Sequence, residues 1–320
     1  MMNVLSLFDG ISCGRVALER ADIEVNNYYS SEIDKYATTV SSRNYPTNIP
    51  LGDVTNWKCW DIDWKNIDLV FAGFPCQAWS VAGNQKGDKD KRGQLFWVML
   101  DILKRVKKKN PNFTYLIENV RMKLDFETYI TNALSKVLPS INKYLINSAL
   151  VSAQLRKRFY WTNIENVEQP KDRNIILSDI LEDGAADQLK SYCIDASYYK
   201  GTDLKQYLSK KRRQVAFKST KRIHQIRNSI GYRIYSTQGK AACLAASGGG
   251  LAGGGGSLIY DKNWVRKLTP LECERLQTLP DNYTAGISNS QRYKCIGNGW
   301  TVEVVRHILE TWKKNINLIK

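Results

Sequence analysis

Histidine and metal-binding spacing are what this chain has least of. It holds two histidines in 320 residues, and none of its seven cysteines (13, 59, 76, 193, 243, 273 and 295) stands in a Cys-x-x-Cys pair. That spacing disfavours a zinc site, and an odd number of scattered cysteines disfavours a disulfide framework, so reduced thiols are expected. Long apolar runs are also missing. No stretch approaches the length of a membrane span. The first apolar segment, Val4-Leu5-Ser6-Leu7-Phe8, has neither a basic leader before it nor a small-residue cleavage site after it. No membrane association and a cytoplasmic location are expected. Acidic residues are in deficit, 31 against 47 lysines and arginines, for a formal net charge of +16 and a pI near 9.4. This imbalance points to a polyanionic partner, because each phosphate neutralised on binding releases a condensed counterion; a merely soluble, highly charged surface is the alternative. A hydrophobic content of 43% supplies a substantial core and excludes a disordered tail.

Strand-like and helix-like patterns alternate through the first half. Val4 to Phe8 reads as a buried strand, and Asp9-Gly10-Ile11-Ser12-Cys13-Gly14 as the turn into a helix carrying Val16, Ala17 and Leu18. Further strands are predicted at Val25 to Ser30, Ile67 to Ala72, Phe113 to Ile117, around Tyr144 to Val151 and at Phe159 to Asn163. Helices are predicted from about Ile33, over Leu95 to Val106 and over Tyr129 to Leu138. Such alternation implies an α/β fold, a doubly wound sheet with crossover helices.

After Pro170 the pattern changes. Residues 171 to about 264 are rich in Lys, Arg, Ser and Gly without a clean amphipathic period, and read as a separate small domain. Between Lys200 and Lys240 lies a dense basic set that includes Lys211, Arg212, Arg213, Lys221, Arg222 and Arg227, interleaved with Tyr207, Phe217, Tyr232 and Tyr235. Cations with interspersed aromatics suit phosphate clamping and base contact; a solvated face is the plain alternative. The glycine run from Ser247 to Ser257 suits a flexible loop or a linker. Helical periodicity resumes over Trp264 to Leu279 and Trp300 to Trp312, the latter read as a C-terminal helix packing back on the large domain.

Gly73-Phe74-Pro75-Cys76-Gln77 follows the apolar run Ile67 to Ala72. A strand that ends in a stiff Pro-Cys turn presents the Cys76 thiol at the carboxyl edge of a sheet, where open α/β sheets bind ligands. Most free cysteines are instead buried small hydrophobes, so the local sequence leaves both readings open. Glu32 after the second strand and Asp53 in Gly52-Asp53-Val54 stand where acids accept hydrogen bonds from a ribose and an adenine amino group. With the glycine turn they would form a nucleoside pocket. A nicotinamide-dependent oxidoreductase would use the same geometry.

The ordered motifs resemble those of the cytosine-5 DNA methyltransferase family over nearly the whole chain. Phe8-Asp9-Gly10, Glu32 and Gly52-Asp53-Val54 resemble its first three motifs, and Gly73-Phe74-Pro75-Cys76-Gln77-Ala78-Trp79-Ser80 its nucleophile motif. Glu118-Asn119-Val120, Gln154-Leu155-Arg156-Lys157-Arg158, the segment Arg266 to Gln277 with Pro280, and Gly297-Asn298-Gly299-Trp300 resemble the later ones. Three departures are visible: Ser12-Cys13 where many relatives have a second glycine, Trp79 for the commoner Phe, and Gly299-Trp300 for Ser/Ala-Val. These variants look closer to the eukaryotic de novo branch than to restriction-system enzymes.

The resemblance implies a Rossmann-like S-adenosylmethionine-dependent methyltransferase fold: a catalytic and cofactor-binding domain (1–170), a target-recognition domain (171–264), and a C-terminal segment (265–320) completing the catalytic domain. Cys76 would add to carbon 6 of cytosine, and Glu118, with a raised pKa or a shared proton, would relieve charge at ring nitrogen 3. Asn119 would shape its turn. Arg156 and Arg158, two apart on an extended segment, would share one face; one would orient Glu118 or bind the cytosine carbonyl, the other contact backbone or phosphate. S-adenosylmethionine would lie against Phe8, Asp9, Gly10, Ile11, Gly14, Glu32, Ile33, Asp53, Val54, Pro75, Asn298 and Trp300. Double-stranded DNA would meet Gln77, Ser80 and the basic set, with the cytosine flipped and Gln77 to Asp90 closing as a lid. A cognate restriction endonuclease is a functional partner this family implies. An RNA cytosine-5 methyltransferase and a catalytically silent DNA-binding regulator on the same fold are the rival readings.

Overall fold

The computed structural model describes residues 1–75, 91–138, 140–200, 207, 209–217 and 265–317. The strands β1 (Met2–Leu7), β2 (Val25–Ser31), β3 (Ile49–Pro50), β4 (Leu69–Ala72), β5 (Thr114–Val120), β6 (Asn142–Asn147) and β7 (Lys157–Thr162) form one sheet in the order β3-β2-β1-β4-β5-β7-β6. β3 to β5 across β1 pair in parallel, and β7 runs antiparallel to both its neighbours.

Alternation along the central strands sorts side chains into two layers. Val4, Leu69, Phe71 and Leu116 face one core, which is closed by α1 (Cys13–Arg20), α2 (Lys35–Asn44) and the C-terminal helix. Leu5, Leu7, Val70, Ala72, Tyr115 and Ile117 face the other, closed by α3 (Lys91–Lys109) and α4 (Leu124–Ser135). Both faces are covered, so the strands read as near-continuous apolar runs and not as amphipathic ones.

Local signals explain several boundaries. The helix expected from Ile33 begins at Lys35 because Asp34 caps it, accepting from the Tyr36 and Ala37 amides. The strand expected to stop at Ile117 continues to Val120, because β7 pairs with it through Glu118, Asn119 and Val120. The run expected as a helix from Trp264 begins as a strand, β9 (Val265–Lys267), which pairs antiparallel with β8 (Val215–Phe217). Only past the short helix α5 (Leu177–Ile180) does α6 (Pro270–Leu276) follow, started by a Thr269/Glu272 capping box with Pro270 in its first turn.

The C-terminal segment returns to the sheet. α7 (Asn289–Asn298) and α8 (Val302–Asn317) complete the first core, where Val302, Val304, Val305, Ile308 and Leu309 are all fully buried. Arg20 of α1 donates to the Thr278 carbonyl at 2.6 Å and pairs with Glu303 at 2.8 Å. A third apolar cluster joins Ala153 to Leu177, Ile194 and Tyr198 and to Leu268, Leu276 and Ile296. Residues on both sides of Pro170 therefore share one core. The glycine run, the basic residues Lys221, Arg222 and Arg227, and Gln77 to Asp90 lie outside the described residues. No helix among the described residues is long and apolar enough to cross a membrane.

Candidate functional site

A cavity of about 850 Å³ opens at the carboxyl ends of β1, β2, β4 and β5. The β1–α1 turn forms its floor. Phe8, Gly10 and Ser12 all have φ near +60°, so alternate residues are left-handed and the backbone amides curl toward one side. Only Gly10 adopts this at no steric cost. Two acids hold the turn in place. Glu32 accepts from the Gly10 amide at 2.9 Å through one carboxylate oxygen and from the Ile33 and Asp34 amides at 2.8 Å through the other. Asp9 accepts from four hydroxyls, those of Ser6, Ser12, Tyr28 and Ser30, at 2.5 to 2.8 Å. Burial pushes the Asp9 carboxyl above the usual range, and these four bonds partly offset it.

Both acids thus shape the loop, and three of the roughly four carboxylate lone-pair sites of Glu32 are already used by the Gly10, Ile33 and Asp34 amides. Asp53 caps the next turn through Thr55 at 2.8 Å, with buried Val54 behind it. Ile33 is 73% exposed on the cavity wall, an apolar surface without a covering side chain. Gly14 lines the cavity and also serves packing: a Cβ there would meet the Phe71 ring at 2.6 Å. Phe8, Gly10, Ile11, Pro75 and Asn298 also line the cavity. Curled amides, an exposed apolar wall and carboxylates at successive strand ends fit an adenosine bearing a charged amino-acid tail.

The departures at Cys13 and Trp300 meet in space. A Cβ on Gly299 would stand 3.1 Å from Cys13 Sγ, and a Cβ on Gly73 would stand 2.9 Å from Trp300 Nε1. Trp300 also meets Phe71 edge-on, with centroids 5.7 Å apart. Its indole therefore supports the backbone that leads into Cys76. Burial foremost pushes the Cys13 thiol up to about 12, which makes it a packing group and not a nucleophile.

The far end of the cavity is polar. Cys76, Gln77 and Ser80 lie outside the described residues, but the approach to them is fixed: Asn119, 1% exposed, donates to the Phe74 carbonyl at 3.0 Å. Its Oδ1 accepts from the Val120 amide at 2.8 Å, so Asn119 shapes its own turn and the neighbouring strand's together. Glu118 pairs with Tyr160 across β5 and β7, and Val120 with Arg158, so Arg158 is the diagonal neighbour of Glu118 on one face. Arg158 Nε lies 3.0 Å from Glu118 Oε1. Arg156, 3% exposed, points its guanidinium at carbonyls: Ile194 at 3.1 Å, Gly297 at 3.4 Å and Gly299 at 2.9 Å. Both arginines approach Cys193 Sγ, at 3.5 and 3.9 Å.

Residues 195–197, with Cys193 and Ile194 behind them on Arg156, are the part of the wall that sequence reasoning missed. They carry no motif, and they reach the site only because Arg156 and Gly297 hold them there. Of the basic set, Arg212 lines the cavity and pairs with Asp195 at 3.0 Å, flanked by Lys211 and Arg213. Among the described residues no cluster of three or more His, Cys, Asp or Glu could hold a metal ion.

Comparison with known proteins agrees with this geometry. The family model described as C-5 cytosine-specific DNA methylase matches residues 2–314. The type II methyltransferase M.HhaI of Haemophilus parahaemolyticus is 33% identical, over 99% of this chain and 95% of the relative. The type II methyltransferase M.NlaX of Neisseria lactamica is 30% identical, over 100% and 98%. Among solved structures, the Entamoeba histolytica methyltransferase EhMeth superposes with a TM-score of 0.70 at 16% identity, covering 99% of each chain. The S. pombe Dnmt2 methyltransferase gives 0.61 at 16% identity, again over 99% of each.

Proposed function

We propose a mechanism from the premise that this chain belongs to the C-5 cytosine-specific DNA methylase family and is an S-adenosylmethionine-dependent DNA methyltransferase. Cys76 attacks carbon 6 of a cytosine turned out of duplex DNA, and Glu118 serves as the acid at ring nitrogen 3. The observation that carries this reading is the Glu118–Arg158 pair, 3.0 Å apart, in the same cavity as the curled β1–α1 turn and the Gly73–Pro75 backbone.

Carbon 5 of cytosine is a poor nucleophile until a thiolate adds to carbon 6. Addition pushes electron density onto the ring, and a proton or hydrogen bond delivered to nitrogen 3 by Glu118 stabilises it. Arg158 holds the Glu118 carboxyl so that one oxygen is directed by the guanidinium while the other faces the base. Arg156 keeps the chain ends around this pair in place through the Gly297 and Gly299 carbonyls. The β1–α1 turn, Ile33, Asp53, Val54, Pro75 and Asn298 would hold S-adenosylmethionine, which would supply the electrophilic methyl group that carbon 5 takes, with S-adenosylhomocysteine as the leaving group. Loss of the carbon-5 proton then lets Cys76 leave and restores aromaticity. A cytosine inside a stacked duplex cannot reach Cys76, so extrusion must precede addition, at about a few kcal/mol recovered in protein contacts.

Cys76→Ser is expected to abolish transfer of tritiated methyl from labelled cofactor to duplex DNA while cofactor binding persists. Near-normal turnover by that variant overturns the covalent mechanism. Transfer to tRNA but not to duplex DNA in a parallel assay would replace the DNA substrate with RNA. We also propose that the target site is shared with a restriction endonuclease, since the relatives are named type II methyltransferases. Bisulfite mapping followed by digestion with the matching endonuclease tests that pairing.

A further inference from the structure

The ion pair between Asp195 and Arg212 stands on the rim of the cavity that holds Glu118 and Arg158. Its two ends are built differently. Asp195 is fixed on every side. The preceding Ile194 carbonyl accepts from Arg156, and the Asp195–Ala196 peptide presses on α7 so closely that a Cβ on Gly297 would stand 2.5 Å from the Ala196 nitrogen. The Asp195 carboxylate accepts from the Ser197 amide at 2.8 Å and hydroxyl at 2.5 Å. None of these bonds involves Arg212, so Asp195 keeps its place whether or not the arginine is there.

Arg212 is fixed at its backbone and free at its tip. Gln214, fully buried, anchors the chain two residues later through the Tyr192 amide at 3.1 Å, and the Lys211 amide donates to the Tyr207 carbonyl at 3.1 Å. Between these anchors Lys211 and Arg213 have φ of 50° and 55°. Left-handed conformation at a side chain of this size is strained and persists only where the surroundings enforce it. Between Lys211 and Arg213, Arg212 lines the cavity, although it is exposed as Lys210 and Lys211 are. The guanidinium is 54% exposed and its partner carboxylate 45% exposed, so the pair itself adds little stability. A strained loop that aims a cation at a cavity, only to form a weak surface pair, is explained if the pair is a resting position.

We infer that Arg212 leaves Asp195 to bind a backbone phosphodiester beside the extruded nucleotide, and that Asp195 is a positioning residue that holds the arginine at the rim until duplex DNA arrives. A nucleotide seated against Glu118 brings its own phosphate to the rim, where Arg212 lines the wall as Arg121 and Lys294 do, and is the one of these three that rests on Asp195. This rests on the reading of duplex DNA as substrate.

The test measures affinity for a mixed-sequence fluorescent duplex across a sodium chloride series, using wild type, Arg212→Ala, Arg212→Lys, Asp195→Asn and the Arg212→Ala/Asp195→Asn double variant. Each is checked by its melting curve. Arg212→Ala is expected to lower the slope of log affinity against log salt by about 0.9, the contribution of one phosphate, and Arg212→Lys to retain it. Asp195→Asn is expected to tighten binding about threefold, the scale of a surface pair no longer competing, and to have no effect in the Arg212→Ala background. Tightening that persists without Arg212 would mean plain charge repulsion and overturns the exchange. An unchanged slope in Arg212→Ala overturns the phosphate contact. Wild type that binds the duplex in either case leaves the DNA reading standing, whereas wild type that neither binds nor methylates duplex DNA overturns both.

Discussion

The two walls of the cavity are built over different lengths of chain. The wall at the ends of β1 and β2 is held mainly by near neighbours: the four hydroxyls on Asp9 lie 3 to 21 positions away and the Glu32–Gly10 bond spans 22, with Tyr283 on the Ile11 carbonyl and Lys294 on Asp34 as its long-range ties. The opposite wall is held across great separations. Arg156 bonds to carbonyls 38, 141 and 143 positions away, and the Asp195–Ala196 peptide packs on Gly297. Local construction lets one turn form as a unit with its strand, whereas the far wall exists only after the C-terminal segment has docked. The chemistry sits where the two meet, with Glu118 on a central strand of the sheet and its partner Arg158 on the antiparallel strand beside it.

The largest expected effect lies at that junction. Glu118→Gln removes the proton donor while keeping size and strand pairing, so methyl transfer should fall by about 10²–10⁴-fold with cofactor binding intact. A variant that lost cofactor affinity in proportion would show that the acid belongs to the local wall. Next comes the packing of the far wall. Gly297→Ala places a Cβ against the Asp195–Ala196 backbone, which cannot swing aside as a side chain could, and should cost about 3 kcal/mol of stability in denaturant melts. If transfer survives at full rate in folded Gly297→Ala, the far wall is a support and not a part of the site. Asp9→Ala sharpens the other side. It removes the shared acceptor of four hydroxyls on a buried turn, of which Ser12 keeps its bond to Ser41, for about 2–3 kcal/mol, and should weaken cofactor binding before it affects DNA affinity.

The difference between the walls also explains what the sequence could reveal. β1, β4 and their turns are legible because their signals are contiguous: Val4 to Leu7 and Leu69 to Ala72 are apolar runs followed at once by Gly10 or by Gly73 and Pro75. Glu118 was placed after a strand instead of within it, since the pairing with β7 that extends β5 comes from residues 40 positions on. Arg156 and Arg158 stand out only through the resemblance of their motif. Cys193 to Ser197 could not be found at all, because nothing in Cys-Ile-Asp-Ala-Ser announces that Arg156 will bind the Ile194 carbonyl. The domain border expected at Pro170 is likewise blurred by an apolar cluster shared between Ala153, Ile194 and Ile296. A change in composition marks where surface character changes, not where a core ends.

Docking of the C-terminal segment supplies the smallest and most specific test. Glu303, on α8, has a side chain 7% exposed and pairs with Arg20 of α1 at 2.8 Å and with Arg173 at 2.7 Å. Burial pushes its carboxyl up, but hydrogen bonds from Arg173 and Arg20 outweigh this and hold it below the ordinary glutamate value of 4.5. A carboxyl whose folded pKa is depressed contributes stability above its unfolded pKa and loses it as pH falls through the folded one. Glu303→Gln should therefore cost about 1–2 kcal/mol at neutral pH, since Arg20, Arg173 and, at 3.4 Å, Arg306 lose a shared partly buried partner. The gap from wild type should begin to narrow as pH falls below 4.5 and close only once pH has passed through the lower folded pKa, where the wild-type carboxyl is neutral in the folded protein too. Melting curves of both proteins from pH 7 downward give the result. A gap that stays constant with pH would mean that Glu303 acts by packing, and that the far wall is docked by its apolar face alone.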